Sequence, residues 1–442
     1  MVKMTTPWVV GRDRKECEEF GEAASVFLGK SFLGEQEAVY LDVDKAHVIL
    51  ISGKRGTGKS WTLGNIVEGI AESPPEVRKE LATIIIDTMG IFWSLKFPAR
   101  RTEQLKLLER WGMKPKSFNV KVFVPKGLKE QYKFEVETFA FHPADITPED
   151  WCLTFEIDEN QPMGIAVTKA VNKLSQRTSR WDISDIITEV NSDPYNAENT
   201  MRALENKLRA AENWGIFSAE GFRAQDFLKP GQISVVDISE LKHGTKQWSI
   251  RALVVGLLVK KILDIRLGKR KEEEFREISE SASAESDVAS KVWFLIDEAH
   301  EFLPSAYSTA ASYPLETTIK EGRYPGITVV LATQNPGKLS SEAITQSDIL
   351  ITYRVTARPD IDGLNQVHHT YLKSDIKDSL NELPRDLRGG ALLFDDKRES
   401  ISQVVTRPRM SWHAGAESSI IKKIVMSGVS VVELLRKMRK EE

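Results

Sequence analysis

AHVILISGKRGTGKSWTLGNIVEGIAE, residues 46–72, holds three kinds of segment in succession. Ala46 to Ser52 is a short apolar run rich in β-branched residues, Gly53 to Ser60 is glycine-rich, and Trp61 to Glu72 spaces its apolar positions as a helix does. Strand, loop, helix is the order of a phosphate loop, and GKRGTGKS matches G-x-x-x-x-G-K-S/T in full. In such a loop the glycines let backbone N–H groups close around phosphate oxygens at a helix N-terminus. Lys59 then brings a cation near the β- and γ-phosphates, and Ser60 offers a hydroxyl to Mg²⁺. The candidate nucleotide-binding residues are Gly53, Lys54, Arg55, Gly56, Thr57, Gly58, Lys59, Ser60 and Trp61, with ATP and Mg²⁺ as the expected ligands.

Apolar runs elsewhere predict further strands: Ala82 to Asp87, Asn119 to Val124, Gly231 to Leu241, Val292 to Ile296, Ile327 to Thr333, Asp348 to Val355 and Gly390 to Phe394. Continuous apolar strands are buried on both faces, so the expected fold is α/β, a mostly parallel central sheet of eight or nine strands covered by helices. From Thr147 the period changes. Thr147 as N-cap, Pro148 at the first helical position and the acids Glu149 and Asp150 open a helix. Helical patterns continue through GIAVTKAVNKL, ISDIITEV and MRALENKLRAAENWG, the last stopping at Gly215.

The expected organisation is a short N-terminal segment (1–45), a first core half (46–145), an all-helical insertion (146–227), a second core half (228–416) and a helical tail (417–442). Gln247 to Arg266 predicts a long helix. Lys269 to Ser290, charged and then Ser/Ala-rich without apolar periodicity, predicts a solvated helix end and a mobile loop.

Composition excludes several classes. The chain has 442 residues and a net charge of -3, which argues against a globally basic nucleic-acid coat but leaves room for a local basic channel. Two distant cysteines, Cys17 and Cys152, imply neither a disulfide scaffold nor a zinc site. The N-terminal stretch carries charges where a signal peptide would need an apolar run, so none is expected. The longest apolar run, Ala252 to Val259, is closed by Arg251 and Lys260-Lys261, so no membrane span is expected and the location is expected to be cytoplasmic.

FLIDEAHEFLP, Phe294 to Pro304, contains the four letters of the DEAH helicases. A buried strand pushes Asp297 out at its carboxyl end, where it can hold a metal's water shell, and places Glu298 to orient or deprotonate an attacking water. A two-lobed DEAH helicase would need a second ATPase-like lobe after this motif. Only His300 to Glu442 remains, and it has no Q-x-x-G-R-x-G-R-like arginine motif. Instead, ITVVLAT ends in Gln334, a polar amide able to touch both γ-phosphate and water. Arg323 lies just before that strand, and without a second lobe a completing arginine would come from a neighbouring subunit.

GKRGTGKS, LIDEAHEFLP, EGRYPGITVVLATQNPGKLSSEAITQSDILITYRVT and LRGGALLFDD together resemble the HerA/FtsK superfamily, especially archaeal HerA-like ATPases, from about Asp44 to Gly415. The resemblance implies a RecA-like core with a helical subdomain, a homohexameric ring, ATP at subunit boundaries and DNA threaded through the pore. It also makes Asp87 a polar catalytic-site position, beside Glu298, Gln334 and Arg323, and makes Arg407 to Gly415 a stretch that leans on the adjacent protomer. HerA proper places a β-barrel before its ATPase, whereas here Gly53 comes almost at once. A NurA-type nuclease that docks on that barrel is therefore not implied, and any cutting needs a separate nuclease partner. The expected function is a DNA-translocating or DNA-unwinding ATPase. A related secretion-type or regulatory ATPase acting on protein, and a slow nucleotide-gated scaffold, stay open.

Overall fold

Thirteen strands form one sheet in this computed structural model, which describes residues 7–415 apart from 33–35, 179, 242–246, 280–285, 356, 366–378, 381–382 and 384–388. The strands are β1 (Trp8–Val10), β2 (Ser25–Ser31), β3 (Ala38–Asp42), β4 (Val48–Ser52), β5 (Leu81–Asp87), β6 (Lys121–Pro125), β7 (Glu137–Phe139), β8 (Ile233–Asp237), β9 (Lys291–Ile296), β10 (Ile327–Thr333), β11 (Ile349–Thr352), β12 (Gly390–Asp395) and β13 (Ser400–Thr406). Their order across the sheet is β1-β3-β2-β13-β12-β11-β4-β10-β9-β5-β8-β6-β7. From β11 to β7 every pairing is parallel, while β12, β13 and β2 join antiparallel.

The helices are α1 (Arg14–Phe20), α2 (Lys59–Glu72), α3 (Pro75–Arg78), α4 (Thr102–Arg110), α5 (Pro148–Phe155), α6 (Pro162–Arg177), α7 (Ile183–Ser192), α8 (Glu198–Glu212), α9 (Gln247–Ser279), α10 (Ser312–Glu321), α11 (Ser341–Thr345) and α12 (Arg358–Asn365). They cover both faces, which is why β5 and β10 are buried along their whole length. One apolar core lies under α2 and α4; the other packs α9, α10 and the four helices between β7 and β8. Thr147 and Asp150 form a reciprocal cap at the start of α5, with Pro148 at its first position.

Two expectations are corrected. Among the described residues the sheet has thirteen strands rather than eight or nine, because β1, β2, β3, β7 and β13 are short or only partly buried and lack a long unbroken apolar run. The second correction concerns the loop beyond α9, since Lys269 to Ser279 is the helix end that was expected. That end lacks apolar periodicity because ion pairs hold it, with Arg270 meeting Glu273, Glu274 and Glu277. Beyond it Val288 and Ala289 are buried, and Ala289 N–H donates to Leu228 C=O at 2.8 Å. The expected tail helix lies outside the described residues. Among the described residues no helix is long and apolar enough to cross a membrane.

Candidate nucleotide site

The loop from Gly53 to Gly58 leaves the carboxyl end of β4 and enters α2 at Lys59. Gly53 has φ +153°, and a Cβ there would come within 2.6 Å of both Thr57 Oγ1 and Tyr353 Cβ. Gly58 has φ +131° and sits against the Tyr353 ring. Glycine is thus required at both positions by conformation and by space. Lys54 C=O accepts from Thr57 Oγ1 at 2.7 Å and from the Lys59 ammonium at 3.1 Å, which closes the loop on itself. Tyr353 backs it: its N–H donates to Ser52 C=O at 2.8 Å, and its hydroxyl contacts Thr62 and Thr406.

Register brings the second half of the site alongside. β10 lies between β4 and β9, with Thr333 opposite Ser52 and Leu331 opposite Ile296. The carboxyl ends of the three strands therefore converge. Ser60 Oγ donates to Asp297 Oδ2 at 3.1 Å. Glu298 follows in a left-handed conformation, φ +52°, which a glutamate adopts at some cost and which turns the chain out of the strand. Burial with the adjacent Asp297 pushes its pKa up to about 7, against the pull of the Lys59 cation and of Gln334. Burial in turn lowers Lys59, opposed by Glu298 and Asp297. Burial also raises Asp297, although the Ser60 hydrogen bond and Lys59 pull the other way.

The structure thus brings together Lys59, Ser60, Asp297, Glu298 and Gln334. Trp61 faces away from that group: its indole N–H donates to Arg407 C=O at 3.2 Å and its ring meets His413 edge-on. Asp87, fully buried at the end of β5, is raised by burial and by Asp237 beside it. Its oxygens accept from the N–H groups of Met89, Ile91 and Phe92 at 3.1, 2.8 and 2.7 Å, so it holds the following turn.

Arg323 is not part of this group. It lies exposed in the turn before β10, at the amino-terminal edge of the sheet, seven strand residues or about 23 Å from the edge that carries the loop.

Sequence reasoning missed three features. His300 bridges two strand ends, its Nδ1 3.1 Å from Thr333 Oγ1 and its Nε2 3.3 Å from Asn335 Nδ2. Burial, reinforced by Lys338 and Lys59, pushes it down to about 4. The signal was its place two residues after Glu298. Tyr353, directly after the apolar run of β11, gave no signal. The third is Glu68 on α2, which is fully buried with Arg407 and Arg409. Here the expectation that Arg407 to Gly415 leans on a neighbour is corrected for Arg407 to Ser411. Those residues pack on α2 of their own chain, because Glu68 accepts from the Met410 and Ser411 N–H groups and pairs with both arginines.

A phosphate loop on a central parallel strand, facing an acid pair two strands away and a glutamine on the strand between, is the arrangement of P-loop NTPases with a RecA-like core, and the fold is of that class. Residues 26–262, more than half of the chain, match the family described as "Helicase HerA, central domain", and the chain belongs to that family within the HerA/FtsK superfamily. It is 20% identical over 380 residues, 80% of its length, to the DNA double-strand break repair helicase HerA of Pyrococcus furiosus, and spans 64% of that relative. Its fold is similar to that of VirB4 of Thermoanaerobacter pseudethanolicus, with a TM-score of 0.56 at 13% identity over 90% of this chain and 98% of that one. It is likewise similar to the bacterial conjugative coupling protein TrwB, with a TM-score of 0.53 at 13% identity over 93% and 95%.

Proposed function

We propose that this chain is the ATP-hydrolysing subunit of a homohexameric ring motor that translocates or unwinds duplex DNA in the cytoplasm. The observation that carries the hydrolytic part is the position of Glu298, partly buried directly after Asp297 at the end of β9, where it feels the Lys59 cation and Gln334, while its Oε2 has no hydrogen-bond partner among the described residues. Backbone N–H groups of the Gly53–Gly58 loop bind the phosphates, and Lys59 balances their charge. Glu298 takes the proton from the water that attacks the γ-phosphorus, and Gln334 orients that water and the carboxylate. ADP and phosphate leave. A carboxyl near 7 suits this task, because it is substantially ionised at neutral pH yet basic enough to accept the proton.

Ser60 and Asp297 fit Mg²⁺: a hydroxyl and a carboxylate already in contact are the hard oxygen donors that this ion takes. Among the described residues no three His, Cys, Asp or Glu side chains form a cage by themselves, so phosphate and water oxygens would complete its coordination. When bound, it neutralises charge on the β- and γ-oxygens. Asp87 serves as the support of the 88–92 turn bordering the site.

Arg323 acts in trans. Its position at the far edge of the sheet keeps it from its own loop, while a neighbour packed edge to edge would receive it at the γ-phosphate. Such arginines contribute about 10³ to 10⁵ in rate. Family membership and similarity to a DNA double-strand break repair helicase support DNA as the substrate. Lys338, exposed just beyond Gln334, is a candidate phosphate contact. Any cutting of DNA falls to a separate nuclease.

The test is ATP turnover with and without duplex DNA over a salt series. Stimulation that fades as salt rises supports phosphate contacts. Turnover indifferent to DNA but raised by a protein partner would assign the motor to protein instead.

A further inference from the structure

The turn that carries Arg323 is fastened to α9. Arg266 is fully buried, donates from Nε to Pro325 C=O at 3.0 Å and pairs through Nη1 with Glu273 at 3.1 Å. One residue earlier, the Tyr324 hydroxyl donates to Glu274 Oε2 at 2.8 Å. Two residues of α9 therefore hold the two residues that follow Arg323.

The geometry of α9 explains how it arrives there. It starts near the catalytic edge, where Arg251 donates to Ser239 C=O at 2.8 Å, just past the end of β8. The fifteen residues from Arg251 to Arg266 rise about 22 Å, which equals the seven-residue length of β10 at about 3.3 Å per residue. The helix thus crosses the sheet from the edge that binds nucleotide to the edge that presents Arg323. It is pinned on the way: a Cβ at Gly256 would come within 2.3 Å of Ala310 C=O, so α9 meets the start of α10 backbone to backbone. α10 in turn ends at Glu321, next to the turn.

A buried guanidinium is an expensive way to hold a carbonyl, and the Nη2 of Arg266 has no hydrogen-bond partner among the described residues. An apolar side chain would fill the space but would leave Pro325 C=O free to rotate. We propose that Arg266 is a positioning residue for Arg323, fixing the turn so that Arg323 projects from the surface in the direction of the neighbouring subunit's γ-phosphate. This rests on the reading of Arg323 as a trans residue.

The experiment compares Arg266→Gln, Arg266→Lys, Tyr324→Phe and Arg323→Ala in the full chain, each alone and mixed with Glu298→Gln subunits under conditions where rings exchange. In Arg266→Gln the ATP KM should stay within about twofold while kcat falls at least about tenfold, since small misplacements of a transition-state group are costly. Arg266→Lys, which keeps one donor toward Pro325, should recover part of that loss. Mixing is the discriminating arm. An Arg266→Gln site keeps its own Glu298, and a Glu298→Gln neighbour offers it a correctly held Arg323, so activity should return.

Unchanged kcat in Arg266→Gln overturns the proposal. So does a loss that mixing fails to restore when the Arg323→Ala loss is restored, because Arg266 would then serve its own subunit. Failure of Arg323→Ala to recover on mixing instead removes the trans reading beneath it. Should Arg266→Gln not fold, Tyr324→Phe carries the test: a smaller, mixing-restorable fall in kcat supports the strut, and an unaffected kcat overturns it.

Discussion

Ser60 Oγ and Asp297 Oδ2, 237 residues apart in sequence, meet at 3.1 Å and join the first turn of α2 to the end of β9. Around that contact the remaining roles divide by charge. Lys59→Ala removes the cation that faces the phosphates, so ATP affinity and turnover should both fall. Glu298→Gln keeps the shape and removes the base, so ATP should bind and persist while kcat drops about 10² to 10⁴. Equilibrium nucleotide binding beside single-turnover hydrolysis separates the two. Equal loss of binding in both variants would contradict the assignment of Glu298.

His300 ties the end of β10 to the segment after Glu298 through Thr333 and Asn335, and with a pKa pushed down to about 4 it is neutral at physiological pH. It therefore holds Gln334 in place without adding charge. His300→Ala should lower kcat roughly 10- to 100-fold with little change in ATP affinity, the signature of displaced rather than missing groups. A change in affinity alone would contradict this role.

Much of the parallel core was legible because its strands are buried on both faces and so read as unbroken apolar runs, and the phosphate loop was legible because glycine, lysine and serine are needed at fixed spacing. The start of α5 could be read from Thr147, Pro148 and Asp150, whose preferences are local. What was not legible depended on partners distant in sequence. β2 and β13 pair with each other across more than 370 residues of sequence, and half-exposed strands lack a strong pattern. The end of α9 is held by ion pairs, so its charged sequence showed a solvated helix end but not where the helix stops. The position of Gln334 was read correctly as a strand end. That it comes near Glu298 follows from β10 lying beside β9, which no local signal records.

Glu68 is the anchor of the C-terminal stretch. Glu68→Ala would leave the buried Arg407 and Arg409 without their carboxylate and two N–H groups without an acceptor. Breaking such a buried pair destabilises by about 3–5 kcal/mol. Glu198→Ala, which removes an exposed pair with Arg202, should change stability little. Denaturant midpoints measure both, and similar effects for the two would contradict the account of this network.

His47 supplies a pH dependence. Burial works against its charge, but hydrogen bonds to Asp348 at 2.7 Å and Asp42 at 3.1 Å outweigh it and raise the pKa to about 9. A raised histidine contributes stability that is fully present below its unfolded value of about 6.5 and is lost as pH climbs through about 9. The stability gap between wild type and His47→Gln should therefore be widest below pH 6.5, on the order of 3 kcal/mol, shrink between pH 6.5 and 9, and stay small above pH 9. A gap independent of pH would show that His47 acts by packing alone.

The central claim is that each hydrolytic site is completed by Arg323 of another copy, and turnover per chain across a dilution series, read beside sedimentation, tests it most directly. The account predicts that dilution into monomers leaves ATP binding intact but abolishes hydrolysis, and that turnover rises steeply as rings assemble. A monomer that hydrolyses ATP at the full rate, and loses that rate on Arg323→Ala, would contradict it.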